Sequence, residues 1–183
     1  MDLICRCQTG DEEAFAALFH QYKNLVYRTA YLMLDSADEA EDALQEIFLQ
    51  VHRSLSTFAP SKGAFTTWLH RVTVNHCLSR RRKRRLCITS MEKIPPLAQN
   101  EHPAFQDRSD SEVAVQQALS RLSEKLRTIV ILRYYLELSY AEIAQVLNIP
   151  VGTVKSRLNL ALETLRKELG TVPCIFPLKE VAK

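Results

Sequence analysis

The sequence predicts an all-α protein of two small helical domains joined by a flexible linker, the C-terminal domain containing a helix-turn-helix. Only 4 of the 183 residues are glycine, whereas strong helix formers are abundant. Apolar residues recur with the 3.6-residue period of amphipathic helices, and no segment alternates as a strand would. We expect an N-terminal domain over 1–85, a linker over 86–111, a C-terminal domain over 112–170 and an irregular tail over 171–183.

Three helices are predicted in the N-terminal domain. The first has apolar residues at helical spacing over 15–33, and Asp11 is a suitable N-cap for it. The second covers 38–55 and the third covers 64–84. Between the second and third, the segment 58–63 contains proline and glycine and is therefore expected to be a loop.

The composition limits the possible classes of protein. Hydrophobic residues are 46% and charged residues 25% of the chain, which is an ordinary globular mixture. No apolar run reaches the roughly 20 residues of a membrane-spanning helix, so we expect no membrane insertion. Asp2 and Arg6 interrupt the apolar start, which is unlike a secretory signal.

Five scattered cysteines match neither a disulfide framework nor a zinc-site spacing. This pattern favours a reducing, cytoplasmic location without a metal site. A redox pair formed by Cys5 and Cys7 is the alternative use of two of these thiols. We find no phosphate-binding glycine loop, Ser/His/Asp arrangement or carboxylate pair at a catalytic spacing, so we expect neither an enzyme nor a cofactor.

The net charge of +3 conceals an uneven distribution. Residues 1–79 contain 6 basic and 10 acidic residues, which gives a net charge of −4. The next six residues, 80–85, are all Arg or Lys and add +6. Such a block suits a polyanion, although a solvated helix end would give the same pattern.

A helix-turn-helix is predicted near the C-terminus. Ser139 and Glu142 have the spacing of a capping box. Asn148 tolerates the left-handed conformation of a tight turn, and Pro150 prevents the first helix from continuing. A second helix then begins near Val151. Its expected inner face consists of Val154, Leu158, Ala161 and Leu165.

The second helix of such a motif commonly enters the DNA major groove. The small residues Gly152 and Ser156 would allow close approach, and Lys155 and Arg157 can contact phosphates. A helical hairpin that serves packing alone is the alternative, but the agreement of cap, turn and period favours DNA binding.

The third helix also carries a candidate nucleic-acid surface. Arg71, Asn75, Leu78 and Arg82 lie on one strip, with Trp68 at its border. Arginine can contact phosphate, asparagine can read a base edge and tryptophan offers a stacking surface. An ordinary solvated face with Trp68 in the core is the alternative interpretation.

Four segments together resemble the extracytoplasmic-function group of bacterial sigma factors, in the sigma-70 family. The segment 42–48 resembles that family's D-x-x-Q-E-x-F string, and 65–75 resembles its F-x-T-W-L-x-R-I-x-x-N helix. The segments 122–144 and 150–158 resemble its promoter-binding C-terminal domain. The resemblance covers about 10–85 and 112–169, and the order of the strings makes it specific.

The resemblance implies a subunit that binds core RNA polymerase and directs it to promoter DNA, in a stress response. The residues expected to bind core polymerase are Asp42, Gln45, Glu46 and Leu49. The residues expected at the −10 element are Phe58, Ser61, Lys62, Trp68, Arg71, Asn75 and Arg82. The residues expected at the −35 element are Gly152, Thr153, Lys155, Ser156, Arg157, Asn159 and Leu160.

The resemblance also implies an anti-sigma factor as a partner. One departure concerns Leu160 and Leu162, where the family often has arginine, so the −35 readout is expected to be shifted or weaker. The alternative function is a stand-alone helix-turn-helix regulator. Such a regulator would not need the D-x-x-Q-E helix or the Trp68 helix.

Overall fold

The computed structural model describes residues 3–90 and 117–169. The chain divides into two compact units, 1–102 and 103–183, and their described parts are helical without any strand. Most of the predicted linker and the whole predicted tail lie outside the described residues.

Residues 3–90 of the first unit form four α-helices and two 3₁₀ turns. They are α1 (Leu3–Gln8), α2 (Glu12–Leu34), α3 (Ala37–Ser54), the turns Leu55–Thr57 and Pro60–Lys62, and α4 (Phe65–Ser90). The three long helices match the predicted ones. Helix α1 was not predicted, since six residues are too few to display a helical period. Helix α4 continues past the expected end at Arg84, through the first residues assigned to the linker.

Local side-chain bonds explain where these helices begin. The Asp11 carboxylate accepts the Ala14 N–H at 2.9 Å, which confirms the predicted N-cap of α2. Asp35 ends α2 in the left-handed conformation, with φ of 63°. Ser36 then caps α3 by accepting the Glu39 N–H at 3.3 Å, so a single dipeptide ends one helix and begins the next.

The core of the first unit lies among α2, α3 and α4. Burying each of its large aliphatic side chains stabilises the unit by about 1.5–3 kcal/mol. Its most buried large side chains are Leu18, Val26, Met33, Ile47, Val51, Leu69 and Val74. This packing fixes which faces of α3 and α4 remain exposed.

The second unit contains the helix-turn-helix. Its described elements are the helical residues 117–121 (α5), α6 (Glu124–Val130), a π-helical turn Ile131–Tyr135, α7 (Tyr140–Leu147) and α8 (Val151–Leu169). The buried side chains of α6 and the π-turn pack against α7 and α8. The buried residues of α6 and the π-turn include Ile129, Val130, Ile131 and Leu132, and those of α7 and α8 include Ile143, Val146 and Leu158.

A buried arginine joins α5 to α6. Arg127 is only 5% exposed, and its guanidinium donates to the carbonyls of Leu119 and Ser120, each at 2.7 Å. The last carbonyls of a helix have no partner within the helix. Arg127 therefore completes the end of α5 and fixes its position on α6.

Candidate functional site

The start of α7 is fixed by a reciprocal capping box. The Ser139 hydroxyl accepts the Glu142 N–H at 3.2 Å, and the Glu142 carboxylate accepts the Ser139 N–H at 2.9 Å. Both bonds that the S-x-x-E pattern predicts are present. The first helix of the motif therefore begins where the sequence indicated.

The turn between α7 and α8 has the predicted geometry. Asn148 is left-handed, with φ and ψ both 51°, and its N–H donates to the Ala144 carbonyl. The Ile149 N–H donates to the same carbonyl at 3.1 Å. The Pro150 carbonyl then accepts from the Thr153 N–H at 2.9 Å. The chain thus leaves α7 and enters α8 with its backbone groups satisfied.

Helix α8 separates an apolar inner face from a polar outer face. All four predicted inner residues are buried. Leu162 is also buried, at 7% exposure, whereas Leu160 is 53% exposed. Of the two departures from the family pattern, only Leu160 therefore lies on the outer face. The other outward residues are Gly152, Lys155, Ser156 and Asn159, with Thr153 and Arg157 partly exposed.

Tyr140 holds two cations beside the outer face of α8. The Lys155 ammonium lies 5.8 Å from the Tyr140 ring centroid, and the Arg133 guanidinium lies 5.0 Å from it. Arg133 also donates to the Leu138 carbonyl at 2.9 Å. These contacts position Lys155 by cation–π attraction. No sequence pattern indicated these contacts, because they depend on how the packing of the π-turn and α8 places Arg133 and Lys155 against Tyr140.

An aromatic cluster lies at the loop between α3 and α4. The Phe58 ring is 5.6 Å from the Phe65 ring and 5.8 Å from the Trp68 ring, measured between centroids. Tyr22 of α2 contacts Phe65 at 5.3 Å. Phe58 is buried, and Trp68 is partly exposed. Of these two residues, both predicted to bind the −10 element, Phe58 packs beneath the Trp68 ring, and only Trp68 is accessible to solvent.

The outer strip of α4 has the predicted arrangement. Arg71, Asn75 and Arg82 are exposed along one side of the helix, one and three turns apart. Ser61 is exposed in the loop that precedes α4. The side chain of Lys62 lies outside the described residues. The strip and Ser61 are therefore both accessible to solvent.

The predicted strip on α3 is fully exposed. Asp42, Gln45, Glu46 and Leu49 all lie on its outer side, and Leu49 is 57% exposed. In a complex, such an apolar side chain surrounded by polar ones would correspond to the apolar centre and polar rim of a protein interface.

The acidic residues of this strip are paired with the basic block. The Arg80 guanidinium donates to Asp42 at 2.8 Å and lies 3.5 Å from Glu46. Arg84 donates to Glu39 at 2.9 Å, and Arg81 donates to the Met33 carbonyl at 2.6 Å. At least three of the six cations in 80–85 therefore have partners within the unit. Acids of α3 thus supply counter-charges for Arg80 and Arg84, which the sequence pattern did not indicate.

His76 lies beneath this charge network. Its Nε2 is 3.2 Å from the Glu46 carboxylate but makes no hydrogen bond within the described part of the chain. Burial lowers the pKa of His76, Glu46 opposes this shift, and Arg80 and Lys83 add to it. Burial also raises the pKa of the neighbouring Cys77 thiol to about 12, so this thiol stays protonated and unreactive.

Neither a metal centre nor a membrane span is found in the described part of the chain. No three His, Cys, Asp or Glu side chains over 3–90 and 117–169 converge in a way that could hold a metal ion. None of the described helices is both long and apolar enough to cross a bilayer.

Comparison with known proteins identifies the two units. Residues 18–86 match the family model for sigma-70 region 2, and residues 112–165 match that for sigma-70 region 4. The two units are thus regions 2 and 4 of a sigma-70-family sigma factor.

The similar proteins define the group more closely. The chain is 33% identical to the ECF RNA polymerase sigma factor SigW of Bacillus subtilis, over 91% of this chain and 94% of that protein. It is 34% identical to the RNA polymerase sigma-H factor of Pseudomonas aeruginosa, over 91% and 92%. The sigma factor RpoE of Bartonella quintana, solved with the anti-sigma factor NepR, has the same fold, with a TM-score of 0.74 at 23% identity over 87% and 98%.

The chain belongs to the extracytoplasmic-function group of the sigma-70 family. It is an RNA polymerase sigma factor and acts in promoter-specific transcription initiation. The alternative of a stand-alone helix-turn-helix regulator is not favoured, because the first unit matches region 2.

Proposed function

We propose that this sigma factor binds core RNA polymerase through the exposed α3 strip, and that Leu49 is its apolar anchor. The observation that carries the proposal is the 57% exposure of Leu49 between acidic and amide side chains. A buried apolar anchor surrounded by complementary charge is a frequent source of affinity in protein interfaces. Asp42, Gln45 and Glu46 then match basic groups on the polymerase.

The −10 element is bound as a single strand by the loop before α4 and the outer strip of that helix. Trp68 offers a partly exposed ring for stacking, while Arg71 and Arg82 neutralise phosphates. Asn75 lies one turn after Arg71 and can form hydrogen bonds with a base edge. Ser61 and Lys62 contact the strand from the loop. Phe58 contributes from below, by supporting Trp68.

The −35 element is bound in the major groove by the outer face of α8. Gly152 and Ser156 permit close approach, Thr153 and Asn159 offer hydrogen bonds, and Lys155 and Arg157 contact phosphates. Leu160 can contact only apolar groups such as a thymine methyl. The −35 preference of this protein therefore favours thymine where relatives with arginine favour guanine.

The protein itself carries out no catalysis and needs no cofactor, because RNA synthesis belongs to the core enzyme. It works in the cytoplasm with that polymerase. An anti-sigma factor is a further partner, as in the structure of RpoE with NepR.

The central experiment reconstitutes the protein with core polymerase and a library of promoters. We expect a stable holoenzyme that opens a small set of promoters with a −10 and a −35 element. Failure to form a complex with core, together with failure to open any promoter, would contradict the proposal.

A matched pair of variants tests the anchor. Leu49→Ser should weaken core binding by about tenfold or more, since losing an interface anchor costs about 2 kcal/mol. Leu86→Ser changes a leucine of similar exposure, 61%, on a different helix and should leave core binding unaltered. Equal effects of the two substitutions would show that surface apolarity in general, rather than the α3 strip, determines binding.

The same promoter library tests Leu160. Leu160→Ala should weaken the preference for thymine at one −35 position and leave the −10 preference unchanged. Leu160→Arg should instead favour guanine there, because arginine forms bidentate hydrogen bonds with that base. Unchanged −35 preferences in both variants would place Leu160 outside the base-reading surface.

A further inference from the structure

Helix α1 lies outside the region 2 match, which begins at residue 18, but its last residue contacts the loop that follows α3. The Gln8 side-chain nitrogen donates to the Leu55 carbonyl and to the Phe58 carbonyl, each at 2.9 Å. These bonds join residues 47 and 50 positions apart in the sequence. They link the start of the chain to the loop assigned to the −10 strand.

The chemistry of this contact is specific to a side-chain amide. A primary amide nitrogen carries two hydrogens, and Gln8 directs one to each of the two carbonyls. Leu55 and Phe58 flank the 3₁₀ turn, in which the Phe58 N–H also donates to the Leu55 carbonyl at 3.0 Å. Gln8 therefore holds both ends of one turn with a single group.

Helix α1 is itself held in place, so Gln8 is presented from a fixed position. The Asp11 carboxylate accepts from Nε of Arg6 at 2.8 Å and lies 2.7 Å from its Nη2 in an ion pair. Its other oxygen caps α2 through the Ala14 N–H. Both interactions lower the pKa of Asp11, the Ala14 bond more than the Arg6 bond. Ile4 is buried at 7% exposure, which fixes the opposite end of the helix.

One of the two carbonyls that accept from Gln8 belongs to Phe58, whose ring packs against Trp68 in the region proposed to bind the −10 strand. The Phe58 ring packs against Phe65 and Trp68, while its carbonyl accepts from Gln8. Both the backbone and the ring of Phe58 are thus fixed. The loop residues 59–64 begin directly after this point, and their path depends on it.

We propose that Gln8 is a positioning residue for −10 recognition, which orders the loop before α4 while touching no DNA itself. This inference rests on the proposed function of that loop in binding the single strand. Preordering lowers the entropic cost of binding, because the loop does not need to be fixed when the strand arrives. Removing the two bonds should therefore weaken binding of the −10 strand and leave the other interfaces intact.

The test compares Gln8→Met with Gln8→Lys in the reconstituted holoenzyme. Methionine has a similar length and no charge, but it cannot donate hydrogen bonds. The lysine ammonium has three donors and should restore contact with both carbonyls. Gln21→Met and Gln21→Lys make the same two changes at an exposed position of α2 and serve as controls.

Three quantities are measured for each variant: affinity for a single-stranded −10 oligonucleotide, affinity for core polymerase and affinity for duplex −35 DNA. We expect Gln8→Met to weaken −10 binding about tenfold, equivalent to about 1.4 kcal/mol, with less than a twofold change in the other two affinities. Permanganate reactivity of thymines in the −10 element should fall in parallel. The affinity of Gln8→Lys for the −10 strand should be within about threefold of that of the Gln21→Lys control, because the lysine N–H groups can donate to the two carbonyls in place of the amide.

The outcomes separate the inference from the proposed function. If Gln8→Met binds the −10 strand as tightly as the Gln21→Met control, Gln8 has no positioning role. If Gln8→Met weakens all three affinities and lowers the helix content, Gln8 supports only the fold, and the inference fails. If the unmodified holoenzyme does not bind the −10 strand, the function proposed for the loop fails before Gln8 is considered.

Discussion

Reversing the charge at the two acidic positions of the α3 strip tests how this sigma factor binds core polymerase. The perturbation is Asp42→Arg together with Glu46→Arg. In the folded unit both carboxylates face Arg80, at 2.8 and 3.5 Å. The double variant therefore removes acids from the proposed interface and also places cations beside Arg80.

The double substitution should lower the folding stability of the first unit only slightly. The side chains of Asp42 and Glu46 are 64% and 57% exposed, and ion pairs that water screens contribute about 0.2–1 kcal/mol each. Loss of the pairs and the new repulsion should together lower the free energy of unfolding by about 1–2 kcal/mol. Helix content should remain that of the unmodified protein.

The effect on core binding should be much larger. Each charged residue that is desolvated at an interface commonly costs about 2 kcal/mol or more when it is lost. Losing both should weaken core binding by about 4 kcal/mol, or a factor of about 1,000 in Kd. Titration of labelled sigma factor with core polymerase measures this, and thermal unfolding reports the stability of the same variant.

A third substitution separates the two effects. Adding Arg80→Glu restores opposite charges between α3 and α4, so the lost stability should return. Core binding should remain as weak as in the double variant, because the strip still has the wrong sign. Recovery of core binding in the triple variant would refute the reasoning, since the acids would then act by holding α4 rather than by touching polymerase. Glu12→Arg with Glu13→Arg makes the same change in net charge on exposed positions of α2 and should leave core binding intact.

Three further predictions concern DNA binding, pH and stability. Lys155→Gln with Arg157→Gln should weaken −35 binding and reduce the slope of log affinity against log salt by about 2, since each lost phosphate contact removes about 0.9. Because burial lowers the pKa of His76, the unfolded chain takes up its proton at a higher pH than the folded chain does. The first unit should therefore lose stability as the pH falls below the ordinary histidine value of 6.5, and His76→Gln should flatten that dependence in thermal unfolding curves. Arg127→Met should lower the free energy of unfolding of the second unit by about 3 kcal/mol in urea titrations, because two charge-assisted bonds to carbonyls are lost.

Matched variants control for general effects in these three experiments. Lys125→Gln removes an exposed cation outside the helix-turn-helix, and the salt slope should not respond to it. His20→Gln replaces an exposed histidine and should leave the pH dependence in place. Arg121→Met alters an exposed arginine near α5; if it destabilised the protein as much as Arg127→Met, the two buried carbonyl bonds would not account for the effect.

The features that the sequence predicted correctly depend on neighbouring residues. The Asp11 cap, the Ser139 capping box and the left-handed Asn148 each involve groups within four positions of one another. Their geometry is dictated by local bonds, and a sequence pattern contains it. The buried inner face of α8 was predicted for a similar reason, because its period is set by the helix alone.

The contacts that the sequence did not predict join residues far apart in the chain, so they depend on which helices pack against each other. The pairing of Arg80 with Asp42 joins positions 38 apart, and the bonds of Gln8 join positions 47 and 50 apart. Composition showed six cations in a row, but only the packing of α4 on α3 shows their counter-charges. The burial of Phe58 was also not predicted. The helical period of apolar residues indicates which helix face is buried, but it does not show whether a loop residue packs against a neighbouring helix.

In each unit one cation near a proposed interface is already held by other side chains. Arg80 lies against the acids of α3, and Lys155 lies over the Tyr140 ring beside Arg133. A long basic side chain loses about 2 kcal/mol of rotamer freedom when it is fixed, and part of that loss has occurred before binding begins. Counter-charges in α3 also weaken the attraction of the 80–85 block for DNA that lacks a promoter, because paired cations contribute less to the surface potential. The same contacts that order these side chains therefore favour specific complexes over nonspecific ones.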